Sequence, residues 1–419
     1  MSPHQPDGIT WPTDGRIDPA CAEVEQSRPL SVYVHVPFCR VRCGYCDFNT
    51  YTAQFGQGAD LTSYHESVVS EVRMAASILN DAGFARRPAR TVFFGGGTPT
   101  LLDTRSIAAI LHGIRSHIGL ADDCEITVEA NPETVDAQRL KALKDAGVTR
   151  VSFGMQSAVP SVLRTLDRTH TPERVPVVVA AAREVGLDTS LDLIYGTPGE
   201  TVDQWRLSVE AAIGMRPDHI SAYALVIEEG TKMAAQVARG DLPLPDPDDE
   251  ATKYELADEL LGAAGYRWYE ISNFARVEGD EDECASTSLR HASRHNLAYW
   301  RDWDWWGFGP GAHSHIGRLR WWNVKHPRAY AGRLAGGMSP GAAGEILGST
   351  ERELERVMLS VRTADGATLS EHQRPDRVAR LIADGLVDPV SALRGQIVLT
   401  LRGRLLADLV TRTLMGYDG

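Results

Sequence analysis

Cysteine is scarce in this chain, six in 419 residues, too few for a disulfide-stapled scaffold at this length. Basic charge is in deficit: 43 Lys and Arg stand against 56 Asp and Glu, a net charge of -13. No cationic excess is available to displace counterions from phosphates, which excludes a general nucleic-acid binder. The same deficit argues against docking on an anionic membrane surface. No apolar run is long enough to span a bilayer, so no transmembrane segment is expected. The opening MSPHQPDGITWPTDGRIDP has no positive start followed by an apolar stretch, so no secretory signal is expected either. These absences make a cytoplasmic protein the expectation. The chain is also too long for one ordinary core, and suits a barrel-sized domain with a smaller one.

The cysteines that are present are concentrated. Cys39, Cys43 and Cys46 stand in VHVPFCRVRCGYCDFNT with C-x3-C-x2-C spacing. Three thiolates just past a predicted strand can hold three irons of a [4Fe–4S] cube and leave the fourth without a protein ligand. Electron-transfer clusters usually close every corner with cysteine, so an open corner points to a small molecule bound there. Zinc is the competing reading, with His35 a conceivable fourth ligand, although zinc favours paired C-x2-C knuckles. Cys21, Cys124 and Cys284 are scattered and read as buried or idle thiols.

Residues 1–28, rich in Pro, Asp and Gly, are expected to be disordered. Thereafter short β-branched runs at 31–36, 91–96, 125–130, 150–155, 189–196 and 219–226 alternate with helical stretches. Six such units imply a parallel α/β partial barrel over 29–275, with its site at the strand C-terminal ends. An acidic stretch at 276–294 is expected to be a mobile loop. Aromatic-rich residues 295–340, holding six of the nine tryptophans, are read as a connecting segment. Residues 341–419 read as a smaller winged-helix-like α+β domain. Its charges are nearly balanced, which suits packing or docking better than DNA binding.

The motifs each follow a strand. FFGGGTPT (93–100) lacks the lysine of a phosphate loop and the G-x-G-x-x-G order of a dinucleotide fold. Its adjacent glycines let a ligand approach the backbone. Glu129 of EANPE can accept hydrogen bonds from an ammonium or a ribose at the barrel mouth. With SFGMQS, LDLIYGTP and YEISNFA (269–275), the set resembles the coproporphyrinogen III dehydrogenase group of radical S-adenosylmethionine (SAM) proteins, and within it the heme-chaperone branch. The resemblance covers nearly all of residues 30–415.

That resemblance implies a radical SAM partial (β/α)6 barrel in which the methionyl amine and carboxylate of SAM take the open iron. Gly96, Gly97 and Thr98 would hold the amine, and Tyr33, Glu129, Gln156, Arg168 and Asp192 would complete the SAM contacts. Tyr33 and Phe48 would shield the cluster. The dehydrogenase motif continues to a cysteine where this chain has Phe48, whereas the chaperone branch has this Phe. HNLAYW (295–300) matches the H-N-x-x-Y-W motif linked to heme in that branch, making His295 the expected iron ligand with Tyr299 and Trp300 as walls. His313, His315 and His35 are rival ligands, and an aromatic core is the alternative reading of the segment. No C-x-x-C-H motif is present, so a thioether linkage is not expected. The acidic stretch before HNLAYW is longer than the resemblance suggests, and its Cys284 and His291 could compete for iron.

The implied function is a chaperone that binds heme, a [4Fe–4S] cluster and SAM, and passes heme to an acceptor protein. Transient docking to membrane-bound heme proteins goes with it. The alternatives are an oxygen-independent coproporphyrinogen III dehydrogenase and a radical SAM C-methyltransferase.

Overall fold

The computed structural model describes residues 8–22, 27–84, 87–279, 289–369 and 375–417. Residues 280–288 of the acidic stretch, Cys284 included, lie outside the described residues. Thirteen strands, β1 (Ile9–Thr10), β2 (Leu30–Val36), β3 (Ala89–Gly96), β4 (Leu120–Ala130), β5 (Arg150–Gln156), β6 (Asp188–Tyr195), β7 (His219–Ala224), β8 (Tyr266–Glu270), β9 (Asn273–Arg276), β10 (Asp304–Phe308), β11 (His313–Ile316), β12 (Leu319–Asn323) and β13 (Gly341–Ile346), form one sheet. Its order is β1-β13-β12-β11-β10-β2-β3-β4-β5-β6-β7-β9-β8.

Strands β2 to β7 are parallel and pair in chain order. The helices Tyr64–Asp81, Thr104–His117, Ala137–Asp145, Arg174–Glu184 and Val202–Met215 cross between them. Each helix has a local reason to form. Tyr64–Asp81 buries Tyr64, Val68, Val72, Ala75 and Ile78 at the three- and four-residue spacing of one helical face. Asp103, Asp136 and Thr201 cap the first residues of three others. The sheet remains open, as a partial barrel requires.

Several boundaries differ from expectation. Residues 8–22 are ordered rather than disordered: β1 pairs with β13, and buried Trp11 stacks on Trp321 at 4.9 Å. Residues 289–294 pack rather than move, with Leu289 and Ala292 buried beside Tyr269 and Leu297. The aromatic segment is no connector, because β10 adds a seventh parallel strand beside β2, and β11–β13 extend the sheet from it. The smaller module therefore starts at Ser349 rather than 341. Its own core joins Val357, Val361, Leu381, Ile397, Val410 and Leu414. It ends in two helices, Leu401–Leu405 and Ala407–Met415, and its strands are two-residue pieces pairing Ala367–Thr368 with Gln396–Ile397. Arg404 ties this module to the barrel through Asp258 at 2.7 Å and the face of Trp268.

Candidate functional site

Side chains alternate between the two faces of a strand, so each parallel strand sends every second residue into the barrel. Tyr33, Phe93, Glu129, Ser152, Asp192 and Ser221 thereby line one cavity of about 690 Å³. The loops that follow β2, β3, β4 and β7 complete its wall.

The cysteine loop is clamped on both sides. The Gly97 and Thr98 amides donate to Val36 and Phe38 carbonyls at 2.8 Å, and Cys39 N–H donates to Tyr51 O at 3.0 Å. Gly44 N–H donates to Leu166 O at 3.3 Å, while its carbonyl accepts from Met233 N–H at 2.9 Å. A Cβ on Gly97 would meet the Phe38 carbonyl oxygen at 2.5 Å, so this glycine is required by the loop itself. Cys39, Cys43 and Cys46 all line the cavity. Burial pushes the Cys39 thiol up to about 11 and raises that of Cys46. Both are therefore protonated until a metal replaces the proton.

The three sulfurs do not converge on a single-ion site. Among the described residues, no three ligating atoms that include them lie within 4.8 Å of one another. One zinc ion would need sulfurs about 3.8 Å apart. His35 is also committed elsewhere, with Nδ1 3.0 Å from Tyr33 Oη and Nε2 2.9 Å from Asn49 O. The donor set thus fits a multi-iron cluster and does not fit zinc.

Gly96, Gly97, Thr98, Glu129, Gln156, Arg168 and Asp192 line the same cavity. Glu129 accepts from Gly96 N–H at 3.1 Å, and Asp192 accepts from Ser152 and Ser221 hydroxyls at 2.9 and 2.8 Å. Burial, then repulsion from Asp192, lifts the Glu129 carboxyl to about 8, and burial also raises Asp192. Two buried acids raised in this way suit a ligand carrying positive charge. Arg168 donates to Gly154 O at 2.8 Å and lies 3.6 Å from Cys43 Sγ, bridging the cysteine loop and β5. Gln156 adopts φ 62° in the left-handed region, and its buried Oε1 has no partner. A strained, unsatisfied side chain facing a cavity marks a binding position. These residues fit SAM. Phe48 sits at the mouth and is more exposed than a cluster shield would be.

The floor is made by the HNLAYW segment. Ser293 caps the helix Arg294–Trp300, and Glu125 accepts from the amides of Arg294 and His295 at 3.2 and 2.9 Å. Buried Arg150 donates to His291 O at 3.1 Å. These bonds plug the barrel from below and put His295, Asn296 and Tyr299 in the cavity. His295 stacks on Phe93 at 4.9 Å, with Nδ1 2.7 Å from Thr91 Oγ1 and Nε2 3.1 Å from Tyr299 Oη. Burial holds its imidazole down at about 3, so it is neutral. Both ring nitrogens are engaged, and an iron could take Nε2 only after Tyr299 lets go.

Trp300, expected as a heme wall, does not line the cavity; its buried indole N–H has no partner. His35, His313 and His315 also lie off it. His315 Nε2 is 2.7 Å from Gly317 O, and His313 stacks on Trp322. His291 belongs instead to an ion-pair group with Asp218, Glu278 and Arg276. Ser152, Ser221, His219 and Asn273 line the cavity without having been singled out from the sequence. Ser152 and Asn273 stand in the motifs SFGMQS and YEISNFA, while the sequence signal of His219 and Ser221 is only the two-residue alternation of strands, which an exposed face would share.

Comparison with known proteins agrees with this geometry. A family model described as the radical SAM superfamily matches residues 33–212. The chain is 48% identical over 394 residues to the heme chaperone HemW of Mycobacterium tuberculosis, covering 93% of this chain and 95% of that one. It is 33% identical to the heme chaperone HemW of Bacillus subtilis, covering 92% and 99%. Among solved structures, coproporphyrinogen III oxidase (HemN) from Escherichia coli, a radical SAM enzyme, superposes with a TM-score of 0.77 at 25% identity, covering 98% of this chain and 97% of that one.

Proposed function

Since the chain belongs to the heme chaperone HemW family of radical SAM proteins, we propose that it carries heme to an acceptor protein. One observation carries the reading: the helix of the heme-linked motif forms the floor of the cavity whose upper wall is the cysteine loop. Cys39, Cys43 and Cys46 would hold a [4Fe–4S] cluster. Glu129, Gln156, Arg168 and Asp192, with the Gly96–Thr98 backbone and Tyr33, would hold SAM. When bound, this pair would supply a redox-active iron centre beside a cleavable sulfonium. Ionised Glu129 and Asp192 would face the positive charges of SAM, and Arg168 would face its carboxylate. Thr98 Oγ, 3.8 Å from Cys39 Sγ, is set to hydrogen-bond the cluster thiolate.

A cytoplasmic site of action fits three free, oxidisable thiols on one cavity, which a reducing compartment would protect. No helix among the described residues is long and apolar enough to cross a membrane. Contact with membrane-bound heme proteins would then be transient. A second reading, coproporphyrinogen III dehydrogenase, is favoured by the superposition with HemN. Phe48 in place of the dehydrogenase cysteine opposes it. The test is transfer: protein loaded with one heme and mixed with apomyoglobin should give up its heme while keeping its cluster. Complete retention of heme would refute the carrier reading.

A further inference from the structure

A carrier must hold its cargo and also give it up, and the imidazole on the cavity floor is placed for both. A neutral imidazole has one N–H and one lone pair, and an iron takes the lone pair. In His295 neither nitrogen is open: Nδ1 lies 2.7 Å from Thr91 Oγ1 and Nε2 3.1 Å from Tyr299 Oη. The two sides are not equivalent. Thr91 is fully buried in β3 and does not line the cavity, and Phe93 of the same strand stacks on the ring. Tyr299 is half-buried and does line it. Nε2 is therefore the nitrogen that a ligand in the cavity can reach.

Which nitrogen carries the proton follows from the bond the other makes. With Nδ1–H donated to Thr91, the lone pair stands on Nε2, and the Tyr299 hydroxyl donates to it. With the proton on Nε2 instead, Tyr299 Oη accepts that proton. Either way the phenol sits on the atom an iron needs. Burial, then the charge of Glu129, raises the Tyr299 phenol, so it remains a hydroxyl rather than an iron-binding phenolate. The ring itself has other work. It meets His295 and Trp305 edge to face, with centroids 5.1 and 5.0 Å away, contacts that a phenylalanine would keep.

We propose that Tyr299 is a latch on the heme ligand: its hydroxyl competes with iron for His295 Nε2, so heme is held less tightly than by a bare imidazole and leaves as the phenol returns. Thr91 is the positioning residue that keeps Nε2 toward the cavity. The latch rests on the heme-carrying reading above and leaves the cargo on the floor. The exchange moves no electron. The hydrogen bond between phenol and ring breaks as the bond between nitrogen and iron forms, and the phenol keeps its own proton.

The test is ferric heme titration of the anaerobically reconstituted full chain, followed by transfer to apomyoglobin, with iron content and SAM affinity measured in parallel. Tyr299→Phe removes one neutral hydrogen bond from the competition, so it should bind heme about fivefold more tightly and release it more slowly. Its iron content and SAM affinity should match wild type. Thr91→Val, of nearly the same shape, should weaken heme binding severalfold, because Nδ1 loses the partner that sets the tautomer. Heme affinity unchanged in Tyr299→Phe would overturn the latch. Heme lost from Tyr299→Phe with a changed iron spectrum would overturn it too, and would make the phenol a ligand. Wild-type heme affinity and spectrum in His295→Ala would overturn it by removing the imidazole from the iron. Wild-type protein that binds no heme would refute the carrier reading itself, which separates that failure from failure of the latch in a protein that does bind.

Discussion

Glu129 is the residue on which ligand charge and protein charge meet. Its carboxyl is lifted to about 8 by burial and by Asp192, so at pH 6.5 it is mostly neutral and at pH 8.5 mostly ionised. A ligand carrying a positive sulfonium binds the ionised form better. SAM affinity of the reconstituted protein should therefore rise across that interval, and Glu129→Gln should flatten the profile at its weak end. Equilibrium binding at several pH values checks this; an unchanged slope in Glu129→Gln would remove Glu129 from the SAM contacts. At the cysteines, Cys39→Ala, Cys43→Ala and Cys46→Ala should each lose the roughly four irons per chain that a cube contains, read by iron assay and absorbance. Cys124→Ala should keep them, because its buried thiol does not line the cavity. Gly97→Val is not a clean probe of SAM, since its side chain would strike the Phe38 backbone and displace the loop. Residues with distinctive chemistry at strand ends were legible in the sequence. Ser221, which with Ser152 holds Asp192 in place, was not, because a serine in an alternating strand reads the same inside a barrel or outside it.

At the scale of elements, the six parallel strands and their helices were legible from period and caps, and the misreadings cluster where composition outweighed a single anchoring residue. Residues 8–22 look disordered by their Pro, Asp and Gly content, yet Trp11 fixes them. Gly341 and Gly344 on β13 leave the space that its indole occupies. Trp11→Ala should cost about 3 kcal/mol, the low end for deleting a buried tryptophan, with cluster and SAM binding kept. Denaturant unfolding measures it, and a loss under about 0.5 kcal/mol, the range of ordinary surface substitutions, would make the segment a passive tail. Residues 295–340 read as a connector because the tryptophans of 304–323 mask strand alternation. In the fold they pack on each other across β10 and β12, as Trp306 does on Trp321 at 4.9 Å. HNLAYW was legible as a motif but not as a barrel floor. Its placement depends on Arg150 and Glu125, more than a hundred residues upstream, and no local pattern records such contacts.

The whole molecule carries an unusual load of buried acids. Burial raises Glu71, Glu200 and Glu270 to about 7 and Glu129 to about 8. A carboxyl raised in the folded state contributes stability at low pH, and loses it as pH rises through the folded value. Buried His170, held at about 4, and His295 and His315, both held at about 3, act in the opposite sense, an effect spent about one unit above the ordinary histidine value of about 6.5. Above about pH 7.5 the acids therefore act alone, Glu129 foremost, and the free protein should lose stability as pH rises from there to about 8.5. SAM should reverse part of that loss by pairing with ionised Glu129. Thermal unfolding of the free and SAM-bound forms over this range checks both; a free protein that grows more stable toward pH 8.5 would contradict the assignment of these acids. The central claim is that this barrel carries a tetrapyrrole and does not transform one. Its most direct test is a pair of anaerobic reactions on one reconstituted sample, with SAM and reductant in both. Given heme, the protein should bind close to one per chain. Given coproporphyrinogen III, it should yield no decarboxylated product, and protoporphyrinogen appearing with turnover would contradict the account.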